Sequence, residues 1–542
     1  MHLRTAALLT ALAIPFAGCR STSDWREEAD REAYALVQSR RSKLSLDTGE
    51  FTIEPAADSL RARLLDGRAE LVEPLALVEV LQIASGNSRD YQRQKERLFL
   101  AALDLTLERW RFAIQKGGTL NALVEGSGDT AEQATGDASF SLARLLGTGA
   151  TVIGSLGLNL TRSLIGSDGW HPTSDLGVSI SQPLLAGFGA RIVKEPLTQA
   201  ERDLVYQVRA FERFRRTFAF DVASRFYRLL QIEDTVANQE NNVANLETLS
   251  ARNKALAEAG RLSDIELGQA RQNELRSRND LLNARQRLDD SRDSLKFFLG
   301  LPIQVNLPLD PTALAELELG KDARIDYDEE IATRFALEHR LDHQTALDRV
   351  DDASRRVEVA EDNLRAILTL NGDARLVSED GKPLKFDLDD TQWSVGAEMQ
   401  LPFERLPQRN AYRSALIARE EALRVRVESE DQIRTDLRGD LRSALARREG
   451  YVIQANAVAL AEARIESTRL KLDAGRADTR DLLEAQDSLL QAQNAVTSAL
   501  IEYTLARLNL FLDMELFTID TSGIQLSDDA LAGRDVAPEE RP

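Results

Sequence analysis

Cysteine occurs once in 542 residues and histidine four times. Disulfide frameworks, zinc ribbons and Cys/His metal clusters are excluded on that count. Proline (14) and glycine (30) are sparse for this length, and aromatics make up only 6%. Such a composition is poor in turns and favours long helices rich in Ala, Leu, Arg, Glu and Gln over an all-β or collagen-like chain. Excess positive charge is missing too. With 68 basic and 88 acidic residues the net charge is −20, so the chain lacks the basic face that nucleic-acid backbones require and no nucleic-acid partner is expected. Mean hydropathy is −0.31. No internal apolar run approaches the ~20 residues of a transmembrane helix. P-loop, Rossmann glycine pattern and nucleophile elbow are all lacking, so no enzyme and no cofactor are read.

What is present begins at the N-terminus. Arg4 supplies a positive start, and Ala6 to Phe16 an apolar stretch, the grammar of a secretory signal over residues 1–18. Ala17-Gly18 then precedes the single cysteine, Cys19. This resembles a bacterial lipobox, in which the cysteine thiol is acylated and becomes the mature N-terminus. Phe16 stands where Leu is usual, and the alternative is an ordinary signal peptide with a stray cysteine. Arg20, rather than Asp, follows; in lipoprotein sorting that favours the outer membrane. An acylated terminus anchors a chain without spanning the bilayer.

The chain also repeats itself. Ala259-Gly260-Arg261 and Ala474-Gly475-Arg476 open similar segments, their glycines 215 residues apart. After the second, Leu482, Leu489, Val496, Tyr503 and Leu510 recur every seven residues. Ala485, Ala492, Ala499 and Ala506 follow three positions later. After the first come Leu267, Leu281, Leu288 and Leu295, with Ala270, Ser277, Ala284 and Ser291; Glu274 interrupts the large-residue row. These are a/d seams, and small residues at one seam position predict closely packed antiparallel coiled coils. A longer helix precedes each: 196–258, free of Pro and Gly beyond Pro196 and roughly 95 Å long at 1.5 Å per residue, and 409–474. The return helices are read over 263–299 and 478–513. Gly260 and Gly475 suit left-handed C-caps, and Ser263 and Asp478 suit N-caps.

Strand-like stretches lie at 119–126, 138–146, 150–161 and 175–185, and at 364–371 and 392–401. Leu176, Val178 and Ile180 alternate with Gly177, Ser179 and Ser181, while Trp393, Val395, Ala397 and Met399 share one face. Gly147-Thr148-Gly149 reads as a tight turn, and 166–171 and 373–390 as polar loops. Helices at about 74–112, interrupted at Gly86-Asn87-Ser88, and 327–364, interrupted at His339-Arg340, precede the strand groups. The fold class is mainly α with a small β part. Residues 19–70 form an anchored N-terminal segment, 71–300 and 326–515 two repeats joined by a linker at 301–325, and 516–542 an acidic tail. A few strands per half cannot close a barrel, and open edges are untenable in a bilayer. Oligomerisation is the remedy.

Over about residues 70–515 the chain resembles TolC-type outer membrane efflux proteins (the outer membrane factor lipoprotein family). Besides the repeat, the resemblance rests on Ser181-Gln182-Pro183-Leu184-Leu185-Ala186-Gly187-Phe188-Gly189 at a strand-to-helix transition, on the weaker Leu401-Pro402-Phe403, and on the Ala-Gly-Arg turns. It implies a homotrimer in the outer membrane whose strands build one shared barrel of twelve, four per chain. It also implies duplicated helical hairpins forming a periplasmic α-barrel tunnel, with tips docking on a periplasmic adaptor coupled to an inner-membrane pump. The hairpin at 138–161 is additional: it adds to the barrel or lies outside it. The implied function is a passive exit duct for efflux or type I secretion. A lipid-anchored coiled-coil scaffold, or an adaptor without a pore, is the alternative.

The resemblance also assigns residues. Asp481 and Glu484, with Glu266 as the first-half counterpart, would form acid rings at the periplasmic gate; otherwise they are acids at helix starts, which the helix dipole favours. The tips Gly260, Arg261, Leu262 and Ser263, and Gly475, Arg476, Ala477 and Asp478, would meet the adaptor, or serve turn chemistry alone. The family's basic latch position holds Ala477. Trp170 and Trp393 lie at strand ends, where interfacial aromatics are expected. His339 and His343, four apart, read as a surface pair rather than metal ligands.

Overall fold

The longest elements follow from what the sequence omits. Without proline or glycine to stop it, helix propagation is favourable at every added residue once the first turn exists. In the computed structural model, which describes residues 20–43, 51–54, 58–127, 130–164, 169–319, 325, 327–520 and 523–527, the helices are α1 (Thr22–Lys43), α2 (Leu60–Leu65), α3 (Leu77–Asn87), α4 (Arg89–Arg111), α5 (Ala190–Val193), α6 (Glu195–Glu258), α7 (Asp264–Leu299), α8 (Thr312–Leu319), α9 (Glu329–His339), α10 (Leu341–Asp362), α11 (Leu406–Asp473) and α12 (Thr479–Asp513). The strands are β1 (Gln115–Ser127), β2 (Thr130–Leu145), β3 (Thr151–Ser163), β4 (His171–Pro183), β5 (Ile367–Val377), β6 (Gln392–Gln400), β7 (Phe517–Asp520) and β8 (Gly523–Leu526). The candidate acylation site Cys19, the signal segment 1–18 and tail residues 528–542 lie outside the described residues.

The chain divides into two compact units: 1–51, 97–208 and 345–426 form one, and 52–96, 209–344 and 427–542 the other. The first holds a six-stranded antiparallel sheet in the order β1-β2-β3-β4-β5-β6. The hairpin whose place the sequence leaves open, β2–β3, is therefore part of the sheet, paired along its length with β1 on one side and β4 on the other. Its turn is seated on the strand-to-helix transition. Gly189 N donates to Thr148 O at 3.2 Å, and Thr148 Oγ1 donates to Gln182 Oε1 at 3.0 Å. Gly149 has φ +95, and a Cβ there would fall 2.6 Å from Gly187 O. β5 runs on through Val377, so 373–377 is strand rather than the polar loop expected there; the alternation Asp373, Ala374, Arg375, Leu376 is two-faced, not loop-like. Around the sheet's base, buried Asp352 accepts from Tyr206 Oη at 2.7 Å and Arg355 Nη2 at 2.8 Å, while Asp362 accepts from Gly187 N at 2.7 Å. Helix α1, in the N-terminal segment where the sequence predicts no helix, buries Ala33 and Val37 and sets Tyr34 against Phe99, ring centres 5.5 Å apart.

The second unit is a helical core. Phe226, Leu295, Leu299, Tyr503 and Phe511 are fully buried among Leu437, Leu441 and Ile501. The seam residues Ala270, Ser277, Ala284, Leu288 and Leu295 of α7, and Leu482, Ala485, Ala492, Tyr503 and Leu510 of α12, are buried as their periodicity requires. A charge ladder fixes the register of α6 against α7: Arg278–Glu247, Arg285–Glu240 and Arg292–Glu233 at 2.9, 2.7 and 2.8 Å. Each step is one heptad along both helices in opposite directions. Exposed pairs add little stability, and their value here is alignment. Helix breaks fall at Ser88 and Arg340, both in extended backbone. The start of the acidic tail is structured: β7 pairs with β8, and Phe517 is fully buried. The alternation of Phe517, Ile519, Ile524 and Leu526 with polar residues supplies the apolar face that the tail's overall acidity hides.

Candidate functional site: a two-faced sheet and two helical tips

Register decides which residues share a face, because directly paired residues in an antiparallel sheet project to the same side. One row runs Phe140, Leu156, Leu176, Leu376. The next runs Leu142, Gly154, Val178, Ala374, Trp393, and the next Val152, Ile180, Gly372, Val395. Leu120, Ala138 and Leu158 form another. This face is apolar from edge to edge and largely exposed, with Val178 at 51% and Trp393 at 74%. The intervening rows are polar: Ser141, Ser155, Gly177, Arg375, Gln392; Thr119, Ser139, Gly157, Asp175; and Asn121, Asp137, Asn159, Thr173. Thr119 and Ser139 hydroxyls lie 2.6 Å apart, and Arg375 Nη2 sits 3.5 Å from Asp175 Oδ1. Apolar exceptions on the polar face include Leu123, Ala143, Leu145, Ile153, Ile367 and Val377.

Among the described side chains, the charged exceptions on the apolar face stand at strand ends. Lys116 and Arg144 lie where the sheet joins its helices, and Arg162 lies towards the opposite end. Long basic side chains at such positions can keep their stems in hydrocarbon and their charge among headgroups. Trp170, 51% exposed, precedes β4, and Trp393 is on the edge strand β6. The sequence alone does not assemble this basic border or the acids of the polar face, Glu125, Asp137, Asp175, Asp373 and Glu398. The signal was there in the alternation within each strand, but register between strands is needed to assemble it. Among the described residues no helix is long and apolar enough to cross a membrane.

In the helical unit both tips are built alike. Arg261 N donates to Leu256 O and Arg476 N to Lys471 O, both at 2.8 Å, while Gly260 N and Gly475 N close the tighter inner bonds. Both glycines have φ +69, the left-handed turn that ends a helix without a Cβ penalty. Ser263 caps α7: its Oγ accepts from Glu266 N at 3.3 Å, and Glu266 Oε2 accepts from Ser263 N at 3.2 Å. Asp478 N donates to Asp481 Oδ2 at 3.0 Å. Of the three acids assigned to the gate, Glu266 and Asp481 therefore occupy equivalent capping positions. Glu484 instead pairs with Arg464 of α11 at 2.8 Å and lines an open polar groove of about 540 Å³ with Gln239, Asn242, Arg276 and Arg480. The hairpins meet near their tips, where Asn253 Nδ2 donates to Thr479 Oγ1 at 3.2 Å and both residues are buried; Arg252 also reaches Asp473 at 2.9 Å. Arg261, Ser263, Arg476 and Asp478 are exposed at the turns, and Leu262 and Ala477 half-buried.

The histidine pair is engaged in two separate places. His339 stacks on Phe335 with ring centres 4.0 Å apart, and buried His343 places Nδ1 3.3 Å from Ser429 Oγ. Among the described residues no group of three or more His, Cys, Asp or Glu could hold a metal ion.

Residues 151–301 match the family described as outer membrane efflux protein. That segment runs from β3 to the end of α7. No curated protein sequence matches the chain. Several solved structures share its fold. A membrane protein from Pseudomonas aeruginosa is 16% identical, with 86% of this chain and 99% of that one covered at a TM-score of 0.62. The outer membrane protein VceC of Vibrio cholerae is 15% identical over 81% and 95%, at 0.60. The CmeC outer membrane channel of Campylobacter jejuni is 15% identical over 81% and 85%, at 0.58. The resemblance read from the repeat and the turn motifs is thus borne out, as is the mainly helical fold with a smaller sheet.

Proposed function

We propose that this chain is the outer-membrane channel-tunnel of a tripartite efflux pump or type I secretion system, a passive duct that performs no chemistry. The observation that carries this is the six-stranded sheet with one face apolar and the other polar. A soluble scaffold has no use for an apolar face open from edge to edge, whereas a bilayer-spanning wall needs lipid outside and water inside. The unpaired edges of β1 and β6 call for further copies, and the reading is a homotrimer. The tips 260–263 and 475–478 are its docking points for a periplasmic adaptor, which couples it to an inner-membrane pump. Asp481, Glu484 and Glu266 are its gate acids. Cys19 is its acylated N-terminus, anchoring the chain to outer-membrane lipid after loss of residues 1–18.

One preparation tests these parts. Native mass spectrometry of the detergent-extracted protein is expected to give a trimer beginning at a lipid-bearing Cys19. In planar bilayers its conductance should fall on adding divalent cations at the periplasmic side, since carboxylates crowded on one axis repel each other and gain from counter-charge. Asp481→Asn with Glu484→Gln should abolish that block; the amides keep an acceptor for the Asp478 N–H, so the tip still folds. Monomers that form no channel would overturn the duct. An unmodified Cys19 thiol would overturn only the anchor, and an unchanged block in the double variant only the gate.

A further inference from the structure

The two edges of the sheet bear on what the assembled wall looks like. Strand direction alternates across β1 to β6, so with an even number of strands β1 and β6 run in opposite directions. A second copy can thus lay its β1 beside β6 as one more antiparallel step, and rotation of that step closes a ring. Both edges carry the same two faces: Leu120, Ala122 and Val124 on β1 continue the apolar side, as do Trp393, Val395, Ala397 and Met399 on β6. Asn121 and Ser394 continue the polar side. An edge-to-edge joint between copies keeps lipid-facing rows outside and water-facing rows inside without a break.

The hairpin β2–β3 belongs to that wall. Its strands pair with both neighbours, in one register over Gln115–Glu125 of β1 and over Thr151–Thr161 of β3, with a single shift at the end of β1 between Glu125 and Ser127. Phe140, Leu142, Leu156 and Leu158 face the apolar side, and Ser139, Ser141, Ser155 and Asn159 the polar side. At its turn, Leu146 N donates to Ala150 O at 2.7 Å and Gly149 N to Leu146 O at 2.9 Å. Gln182 Nε2 donates to Thr148 O at 3.2 Å, tying that turn to the end of β4. Were the hairpin to leave, β1 and β4 would each lose a full ladder of hydrogen bonds, which hydrocarbon does not replace.

We infer that the closed barrel is made of six strands from each of three copies of this chain, eighteen in all, with β6 of each copy paired to β1 of the next. This rests on the trimeric duct proposed above. At a strand spacing of ~4.8 Å and a tilt of ~40°, eighteen strands enclose a backbone radius of about 18 Å, against about 12 Å for twelve. The lumen at the membrane is then more than twice as large in cross-section as that of a twelve-stranded wall.

Single-particle reconstruction of the detergent-extracted, full-length protein counts the strands directly. Eighteen, with β2–β3 in the wall, is the expected result. A trimer with twelve wall strands and β2–β3 displaced would overturn the inference and leave the trimeric duct standing. A ring of some other copy number would overturn the trimer, and the count with it. A second measurement is independent of imaging. Phe140→Arg, on the lipid-facing side of β2, is expected to cut the yield of heat-modifiable oligomer in the outer membrane at least tenfold relative to Ser139→Arg, one residue away on the water-facing side. Equal yields of the two variants would show that the hairpin is outside the wall.

Discussion

Single side chains in this molecule do more than one job, and their chemistry shows which comes first. Glu266 and Asp481 face into their own helix starts, where each accepts a backbone N–H, so any gating role is added to a capping role. Asp440 is a different case. It lies half-buried beside Asp513, with Asn509 Nδ2 donating to its Oδ1 at 2.9 Å and no hydrogen-bond partner for Oδ2. Burial first, then the neighbouring Asp513 and Asp436 carboxylates, push its pKa from 3.8 to about 7. Arg213 and Arg340 contact Asp513, at 3.2 and 3.4 Å, rather than Asp440. The folded protein therefore holds a proton that the unfolded chain has released above pH ~4. The stability this proton contributes is fully present below the unfolded pKa and is lost as pH rises through about 7. Asp440→Asn keeps the shape and removes the titration, so it should melt higher than the parent at pH 8 and show a smaller fall in Tm between pH 5 and pH 8. Parallel pH profiles for parent and variant in scanning calorimetry would assign the titration elsewhere.

At the scale of elements, the β2–β3 turn shows how a strand pair is locked onto a helix start. Gly149 is the tight point: its left-handed φ disfavours any side chain, and the Gly187 carbonyl and the Pro183 ring occupy the space a Cβ would take. Gly149→Ala should cost about 1–3 kcal/mol from backbone strain alone. Gly154→Ala, on the apolar face of β3 with open space before it, should be close to neutral. The comparison is a pair of thermal unfolding curves; coincident curves would mean that the turn is not held as described. Much at this scale was legible in the sequence. Helix breaks at Ser88 and Arg340, both Gly turns, and the a/d seams of α7 and α12 depend on local chemistry and period, which a single chain displays. Strand ends were less legible. β2 begins at Thr130, in a polar run with few β-formers, because its pairing with β1 and β3 overrides propensity. Asp373 and Arg375 look like loop residues until β4 shows that they share the polar side. The β7–β8 hairpin was hidden within an acidic tail because only its buried Phe517 and the alternation around it mark it.

For the whole molecule, in the duct proposed above, the faces of the sheet are the inside and outside of the wall, and charge becomes a selectivity. Each copy turns Glu125, Asp137, Asp175, Asp373 and Glu398 to the polar side. The formal positive charge among those rows is Arg375, which is paired with Asp175. Around the proposed barrel the acids without a basic partner would recur at every copy, inside a low-dielectric wall that focuses their field on the aqueous lumen. The duct should therefore prefer cations, and reversal potentials in a KCl gradient across a planar bilayer should shift towards the potassium equilibrium value. Screening sharpens the test. The Debye length is about 10 Å at 0.1 M and about 3 Å at 1 M, so in a wide lumen the preference should fade at molar salt. Carboxylates crowded at a narrow tip would keep theirs. Asp137→Asn, Asp373→Asn and Glu398→Gln together remove charge from the polar side without touching the apolar rows or the Asp175–Arg375 pair. The triple variant should assemble normally and lose most of the low-salt preference. If its reversal potential matches the parent's at 0.1 M, the wall contributes nothing to selection.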